Sequence, residues 1–195
     1  MASLFGRITE ELPAYTTLNK KQDYEIRKYA SCLIASSIYE GSRGTMMENT
    51  SAPFKKLAKF IGVFGSAENE KQESISMTAP VSLAPTDDAE ECQMSFFLPK
   101  KYKTIEDVPR PERKDVTIRR IPERIVAVRT FSGSFRKRNV DKNEAELRRA
   151  LNRDGIDIVD DDAKATVFGY NPPWTVPFFR TNEVLLPVRF DEQQE

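Results

Sequence analysis

The chain has no histidine among its 195 residues. That removes the commonest general base, the commonest metal and heme ligand, and the side chain that changes charge near neutral pH. A Ser-His-Asp or Cys-His enzyme is excluded outright, and so are most catalytic zinc sites. Cysteine is almost as scarce: Cys32 and Cys92 are the two present. Both lie in apolar stretches, with no CxxC pair and no disulfide framework, which fits a reducing compartment. Net charge is absent too, since 30 basic residues meet 30 acidic ones. No global field draws such a chain to nucleic acid or to an anionic membrane, so any charge recognition is local. No apolar run approaches the ~18 residues that cross a bilayer. The opening Met1 to Gly6 meets Arg7, Glu10 and Glu11 too early for a secretory leader and lacks the Met-Gly start of myristoylation. The expectation is a cytoplasmic monomer with no nucleic-acid partner and no membrane insertion.

What is present reads as strands and two helices in one domain. Tyr24 to Tyr29 alternates apolar and charged residues, and Cys32 to Tyr39 follows as a second strand. Phe54, Leu57, Ala58 and Ile61 then fall at i, i+3, i+4 and i+7, the apolar face of a helix. Thr50 or Ser51 can cap it, Pro53 suits its first turn, and Gly62 and Gly65 end it. Ser74 to Val81, interrupted by Pro80, and Gln93 to Leu98 are the next strands. Residues 100–115, dense in Lys, Arg, Glu and Pro, read as a solvated connector.

The second half repeats the order. Val116 to Ile121 and Arg124 to Phe131 alternate. Asp141 to Glu144 reads as a capping box opening a helix through Leu147 and Leu151 to Gly155. Ala165 to Tyr170 and Glu183 to Val188 are the last strands. The fold class expected is α+β: a distorted antiparallel eight-stranded β-barrel with two flanking helices and a pseudo-twofold ββαββ repeat. Its halves are about 14–99 and about 116–190.

The segment before the last strand is the most unusual. Pro172, Pro173, Trp174, Pro177, Phe178, Phe179 and Arg180 lie within nine positions. Prolines lower the entropy lost on ordering a loop, and the rings offer flat apolar surface. Two readings stand: a loop that plugs the core, or one wall of a cleft for a flat apolar ligand. The first helix is the natural second wall, with Lys55, Lys56 and Lys59 either solvated or pairing with an anionic ligand group. Glu25, Arg27, Arg180 and Glu183 could form a carboxylate–guanidinium cluster, for structural pairing before acid–base use. Asp157, Asp160, Asp161 and Asp162 lack the spacing and glycine of a calcium loop and read as a solvated turn. Cys32 and Cys92 read as small buried hydrophobes.

Several stretches taken together, in this order, resemble the SOUL/heme-binding protein family. They are Tyr24 to Tyr29; Phe54 to Gly62; Met77-Thr78-Ala79-Pro80-Val81; Phe96-Phe97-Leu98-Pro99; and Gly169 to Trp174 followed by Arg180-Thr181-Asn182-Glu183-Val184. The overall pattern is most similar to the cytosolic plant and algal members. The resemblance implies a distorted barrel with two helices, and reversible binding of heme or another tetrapyrrole without an established catalytic step. It also implies a shallow groove between the first helix and the loop before the last strand. The binding residues carried over or drawn from those two walls are Phe54, Leu57, Ala58, Lys59 and Ile61, with Pro173, Trp174, Phe178, Phe179 and Arg180. Ser51 stands where some relatives carry arginine, and Thr175 falls near a position where some carry lysine. Some members ligate iron through histidine, which this chain cannot do. The leading expectation is therefore a tetrapyrrole carrier or buffer, not an enzyme, with no catalytic residue and no metal site of its own. The alternatives are an enzyme using Glu183 or Glu25 with a tyrosine, and an adaptor that delivers tetrapyrrole to a metabolising enzyme through the 100–115 connector.

Overall fold

The computed structural model describes residues 8–42, 44–160, 162–171 and 175–191. In chain order the elements are β1 (Tyr15–Lys20), β2 (Glu25–Tyr29), β3 (Cys32–Glu40), α1 (Ser51–Ile61), β4 (Val81–Pro85) and β5 (Glu91–Phe97). They continue with β6 (Thr117–Ile121), β7 (Arg124–Ser132), α2 (Lys137–Arg153), β8 (Thr166–Gly169) and β9 (Thr181–Pro187). Short 3-10 helices cover Ile105–Asp107 and Pro177–Phe179.

The chain divides into two compact units. The first takes Ala14–Ala30 and the chain from Glu123 onward; the second takes Thr9–Pro13 and Ser31–Pro122. In the first, five antiparallel strands run in the order β1-β2-β7-β9-β8. Helix α2 packs on β7 and β9. Its buried face is Val140, Asn143, Glu144, Leu147, Ala150 and Leu151, the i, i+3, i+4, i+7 stripe that an amphipathic helix needs. In the second unit, four antiparallel strands run β4-β5-β3-β6, and α1 packs on β3 and β5. Gly62 closes α1 at φ +85°, donating its N–H to the carbonyls of Ala58 and Lys59. A side chain there would meet the Ala67 methyl at 3.1 Å in addition to adopting a disfavoured backbone.

The structure corrects several expectations. There are nine strands among the described residues where eight were expected, the extra one being β1. In neither unit do the outer strands pair with each other, so neither is a closed barrel. The compact units do not follow the two sequence halves: the first draws β1 and β2 from the first half, and the second draws β6 from the second half. With five strands in one unit and four in the other, a ββαββ repeat is not established. Helix α2 begins at Lys137, before the expected capping box, and Asp141 pairs with Lys137 one turn earlier. Thr50 occupies the N-cap position of α1 without a side-chain cap hydrogen bond. The 100–115 connector is not wholly solvated either, since Tyr102 and Val108 are buried.

Candidate functional site

Alternation along the strands gives the sheet of the first unit two unlike faces. Arg129 points to the helix side, where its guanidinium donates to Asn143 Oδ1 at 3.1 Å and meets Glu146. Thr130, one residue on, points to the opposite, helix-free side. Strand register places it beside Glu183, which in turn lies beside Phe168. Glu25, Arg27 and Tyr29 of β2 share that face through their pairing with Val128, Val126 and Arg124.

The result is a buried ionic cluster. Glu183 accepts from Arg27 Nη1 at 2.9 Å, Tyr170 Oη at 2.6 Å and Thr130 Oγ1 at 3.2 Å. Arg27 also donates from Nε to Glu25 at 2.8 Å and from Nη1 to the Tyr29 hydroxyl at 3.3 Å, and its guanidinium lies 4.4 Å over the Tyr15 ring. Lys20 adds a second cation to Glu25 at 3.2 Å. Burial opposes the Arg27 charge, but Glu183, Tyr29 and Glu25 outweigh it and hold the guanidinium well above its ordinary value. Burial also works against the Glu25 carboxylate, yet hydrogen bonds from Arg27 and Lys20 leave it below the ordinary carboxyl value.

Four tyrosines, Tyr24, Tyr29, Tyr39 and Tyr170, are held in the phenol form. Burial, followed by the Glu183 charge, pushes Tyr29 up to about 12 and Tyr170 well above the ordinary range. Burial does the same for Tyr24, where Asp154 adds to it, and for Tyr39. An unfolded phenol ionises near pH 10, so above that value the folded chain keeps protons that the unfolded chain loses. Stability from these groups is complete below pH 10 and falls as pH rises through 12. Tyrosinate absorbance should therefore show these four phenols ionising above pH 10, in step with loss of near-UV circular dichroism. Four phenols titrating reversibly near pH 10 in the folded chain would contradict this placement.

The predicted ligand-binding residues fare differently. On α1, Leu57, Ala58 and Ile61 are buried at 0%, 0% and 2% exposure, in the core of the second unit. Phe54 is half-buried with its ring edge-on to Phe96, centroids 5.4 Å apart. Lys59 is exposed and paired with Glu68 at 3.1 Å, while Lys56 pairs with Asp115 at 2.9 Å. A groove of about 720 Å³ opens beside the first turn of α1, between Ile38, Tyr39, Ser51 and Lys56; of the helix lysines weighed as ligand contacts Lys56 lines it, whereas Phe54, Leu57, Ala58, Lys59 and Ile61 do not. In the first unit, Phe178 and Phe179 are 77% and 43% exposed, with rings edge-to-face at 5.5 Å. Arg180 Nε donates to the Thr175 carbonyl at 2.7 Å, and Thr175 is buried. Pro173 and Trp174 lie outside the described residues. The two predicted walls thus fall in different compact units.

Of the expected ionic cluster, Glu25, Arg27 and Glu183 come together. Arg180 is instead tied to its own loop. Tyr170, Tyr29 and Thr130 were not anticipated as partners; the alternation Phe168, Tyr170 at the end of β8 was the available signal. Cys92 is buried with its thiol donating to the Gly41 carbonyl at 3.1 Å, whereas Cys32 is only half-buried. Among the described residues no group of acidic or thiol side chains is placed to hold a metal ion, and no helix is long and apolar enough to cross a membrane.

The SOUL heme-binding protein family profile matches residues 10–187, running through both units. The chain belongs to the SOUL family. No curated protein matches this SOUL-family chain by sequence. Solved structures share its fold at low identity. A hydrolase from Listeria innocua is 12% identical with TM-score 0.57, covering 88% of this chain and 94% of that one. The EcmrR C-terminal domain is 11% identical with TM-score 0.58, over 91% and 99% of the two chains. SAV2435, solved bound to tetraphenylphosphonium, is 13% identical with TM-score 0.52, over 86% and 94%. At such identities the likeness is one of fold, and the function of the SOUL-family chain rests on its own residues.

Proposed function

We propose that the protein reversibly binds heme or another tetrapyrrole by its flat face, as a carrier or buffer, with no histidine–iron bond. The observation that carries this reading, alongside family membership, is the outward-facing aromatic pair Phe178–Phe179. Full burial of one such side chain stabilises a fold by about 1.5–3 kcal/mol, and for Phe178, 77% exposed, most of that gain is left to a ligand. The turn is held by its own backbone: Phe179 N–H donates to the Val176 carbonyl at 2.9 Å, and Gly133 N–H to the Pro177 carbonyl at 3.0 Å. The rings are therefore presented with little further ordering cost. Pro173 and Trp174 belong to the same proposed surface by sequence, and Phe54 and Lys59 offer a second contact surface on the second unit. Leu57, Ala58 and Ile61 contribute by holding α1 in place.

The Glu183 cluster is read as structural. A general base needs a lone pair directed at the substrate proton, and both Glu183 oxygens are engaged by internal donors. Neither Tyr29 nor Tyr170 offers a phenolate at neutral pH.

Stacking a porphyrin face on such a platform supplies a few kcal/mol at ~25 cal/mol per Å², consistent with micromolar binding after association costs. Spectral titration with heme and with iron-free protoporphyrin tests it. The two should bind within about threefold of each other, and Phe178→Ala should weaken both by roughly tenfold. Failure of both to bind below tens of micromolar would sink the reading. A bis-imidazole heme spectrum from the native chain would contradict it directly.

A further inference from the structure

Strand β1 stands at the end of its sheet, and among the described residues no strand pairs with its outer edge. Its bonds to β2 fix which backbone groups that edge presents. Ala30 N–H donates to the Ala14 carbonyl at 3.0 Å, which makes Ala14 and Ala30 a hydrogen-bonded pair of the antiparallel ladder. Such pairs alternate with non-hydrogen-bonded ones. The register Tyr15 to Tyr29, Thr16 to Lys28 and Thr17 to Arg27 therefore turns the backbone groups of Thr16 toward β2. Those of Tyr15 and Thr17 point outward. All three residues are exposed.

Exposed sheet edges are normally guarded by charge, proline or a bulge. Edge strand β6 of the second unit follows that rule with Arg119 and Arg120. Tyr15-Thr16-Thr17 has no such guard and combines an aromatic with two β-branched residues, the types that favour strands. The guards come only later, as the register shift after Thr17 and the charge of Lys20.

This short open stretch is complementary to itself. In an antiparallel pairing of β1 with a second copy, the register centred on Thr16 uses both outward residues. Tyr15 of one chain exchanges N–H and C=O bonds with Thr17 of the other, and the two-fold axis repeats the exchange. Centring on Tyr15 would instead set Thr17 against Pro13, which has no N–H. Centring on Thr17 would set Tyr15 against Asn19, whose backbone groups face β2: Lys21 N–H donates to the Tyr24 carbonyl at 2.9 Å, and the alternation carries back from there. With Thr16 on the axis no like charges meet. Leu18 of the second copy falls beside Ala14, on the wall of a groove of about 360 Å³ that Ala14, Tyr15, Thr16 and Leu18 help to line.

We propose that two copies of the chain associate through β1, antiparallel about a two-fold axis at Thr16, joining their five-stranded sheets into one. The paired stretch is short, so the dimer forms reversibly, and the monomer expected from the sequence is the dilute form.

Sedimentation equilibrium on the full chain between about 1 μM and about 1 mM tests this. The weight-average mass should climb from monomer toward dimer. Thr17→Pro removes an outward N–H while leaving the β1–β2 bonds in place, a change that an edge strand accepts; it should raise the dissociation constant by about tenfold or more. Thr16→Lys sets two cations against each other across the axis and should weaken the dimer too, less so in high salt. A non-hydrogen-bonded pair brings the two Cα atoms to about 4.5 Å, within reach of a disulfide. Thr16→Cys treated with oxidised glutathione should therefore yield a covalent dimer that wild type, carrying Cys32 and Cys92, does not form. Near-UV circular dichroism establishes that each variant is folded, and Thr16→Lys and Thr16→Cys decide the matter if Thr17→Pro does not fold. A wild-type chain that stays monomeric throughout the range overturns the proposal. So does a dimer that persists unchanged in folded Thr17→Pro and Thr16→Lys, or a Thr16→Cys chain that cross-links no more than wild type.

Discussion

Glu183→Ala should lower the free energy of unfolding by about 3–5 kcal/mol, the cost of leaving a buried charge without its partner. Both side chains of the Arg27–Glu183 pair are almost wholly buried. Removing the carboxylate leaves Arg27 with Glu25 as its remaining anion. It also strips the Tyr170 and Thr130 hydroxyls of an acceptor, and each buried unsatisfied polar group adds to the loss. Urea denaturation at neutral pH reads the effect. Arg27→Met combined with Glu183→Leu should recover most of it, because an apolar pair of similar volume often matches a buried ion pair in stability. A loss under 1 kcal/mol for Glu183→Ala alone would mean that the pair is hydrated, and the cluster would again be open to a chemical role.

That cluster shows where sequence reading succeeds and where it stops. Alternation assigned Arg27 and Glu183 to strands, and opposite charges at inward positions invite pairing. Which strands lie side by side is not written in periodicity, so Tyr170 and Thr130 could not be matched to Glu183 until β7, β8 and β9 were in register. Arg180 was drawn in by proximity in sequence to Glu183, but it sits outside β9 and bonds within its own loop. Strand β1 was missed for a related reason. Tyr15-Thr16-Thr17-Leu18-Asn19-Lys20 is mostly exposed, with no apolar alternation to read; its β-branched and aromatic residues were the one hint. Helix α2 starts early because Lys137 and Arg138 are good helix formers, and a capping box inside a helix is only another pair of polar residues. Core positions of α1 and α2 were the most legible, since a helix must bury one stripe whatever its partner.

The same stripe explains why three of the five residues expected on the helix wall, Leu57, Ala58 and Ile61, are buried in the core, and it yields the second large effect. Leu57→Ala should destabilise the fold by about 2–5 kcal/mol, while Phe178→Ala should change stability by no more than about 0.5 kcal/mol. Leu57 is fully buried under α1; truncating it removes apolar area from a packed interior and leaves a cavity that neighbours fill only in part. Phe178 is mostly in water already, so its loss forfeits little folding energy. For porphyrin the order should reverse, with Phe178→Ala weakening binding and Leu57→Ala leaving the affinity of the folded fraction within about threefold. Thermal unfolding and spectral titration on both variants separate the two roles. If Leu57→Ala kept wild-type stability and abolished binding, α1 rather than the aromatic turn would be the ligand's main contact, and Phe178 would be ordinary exposed surface.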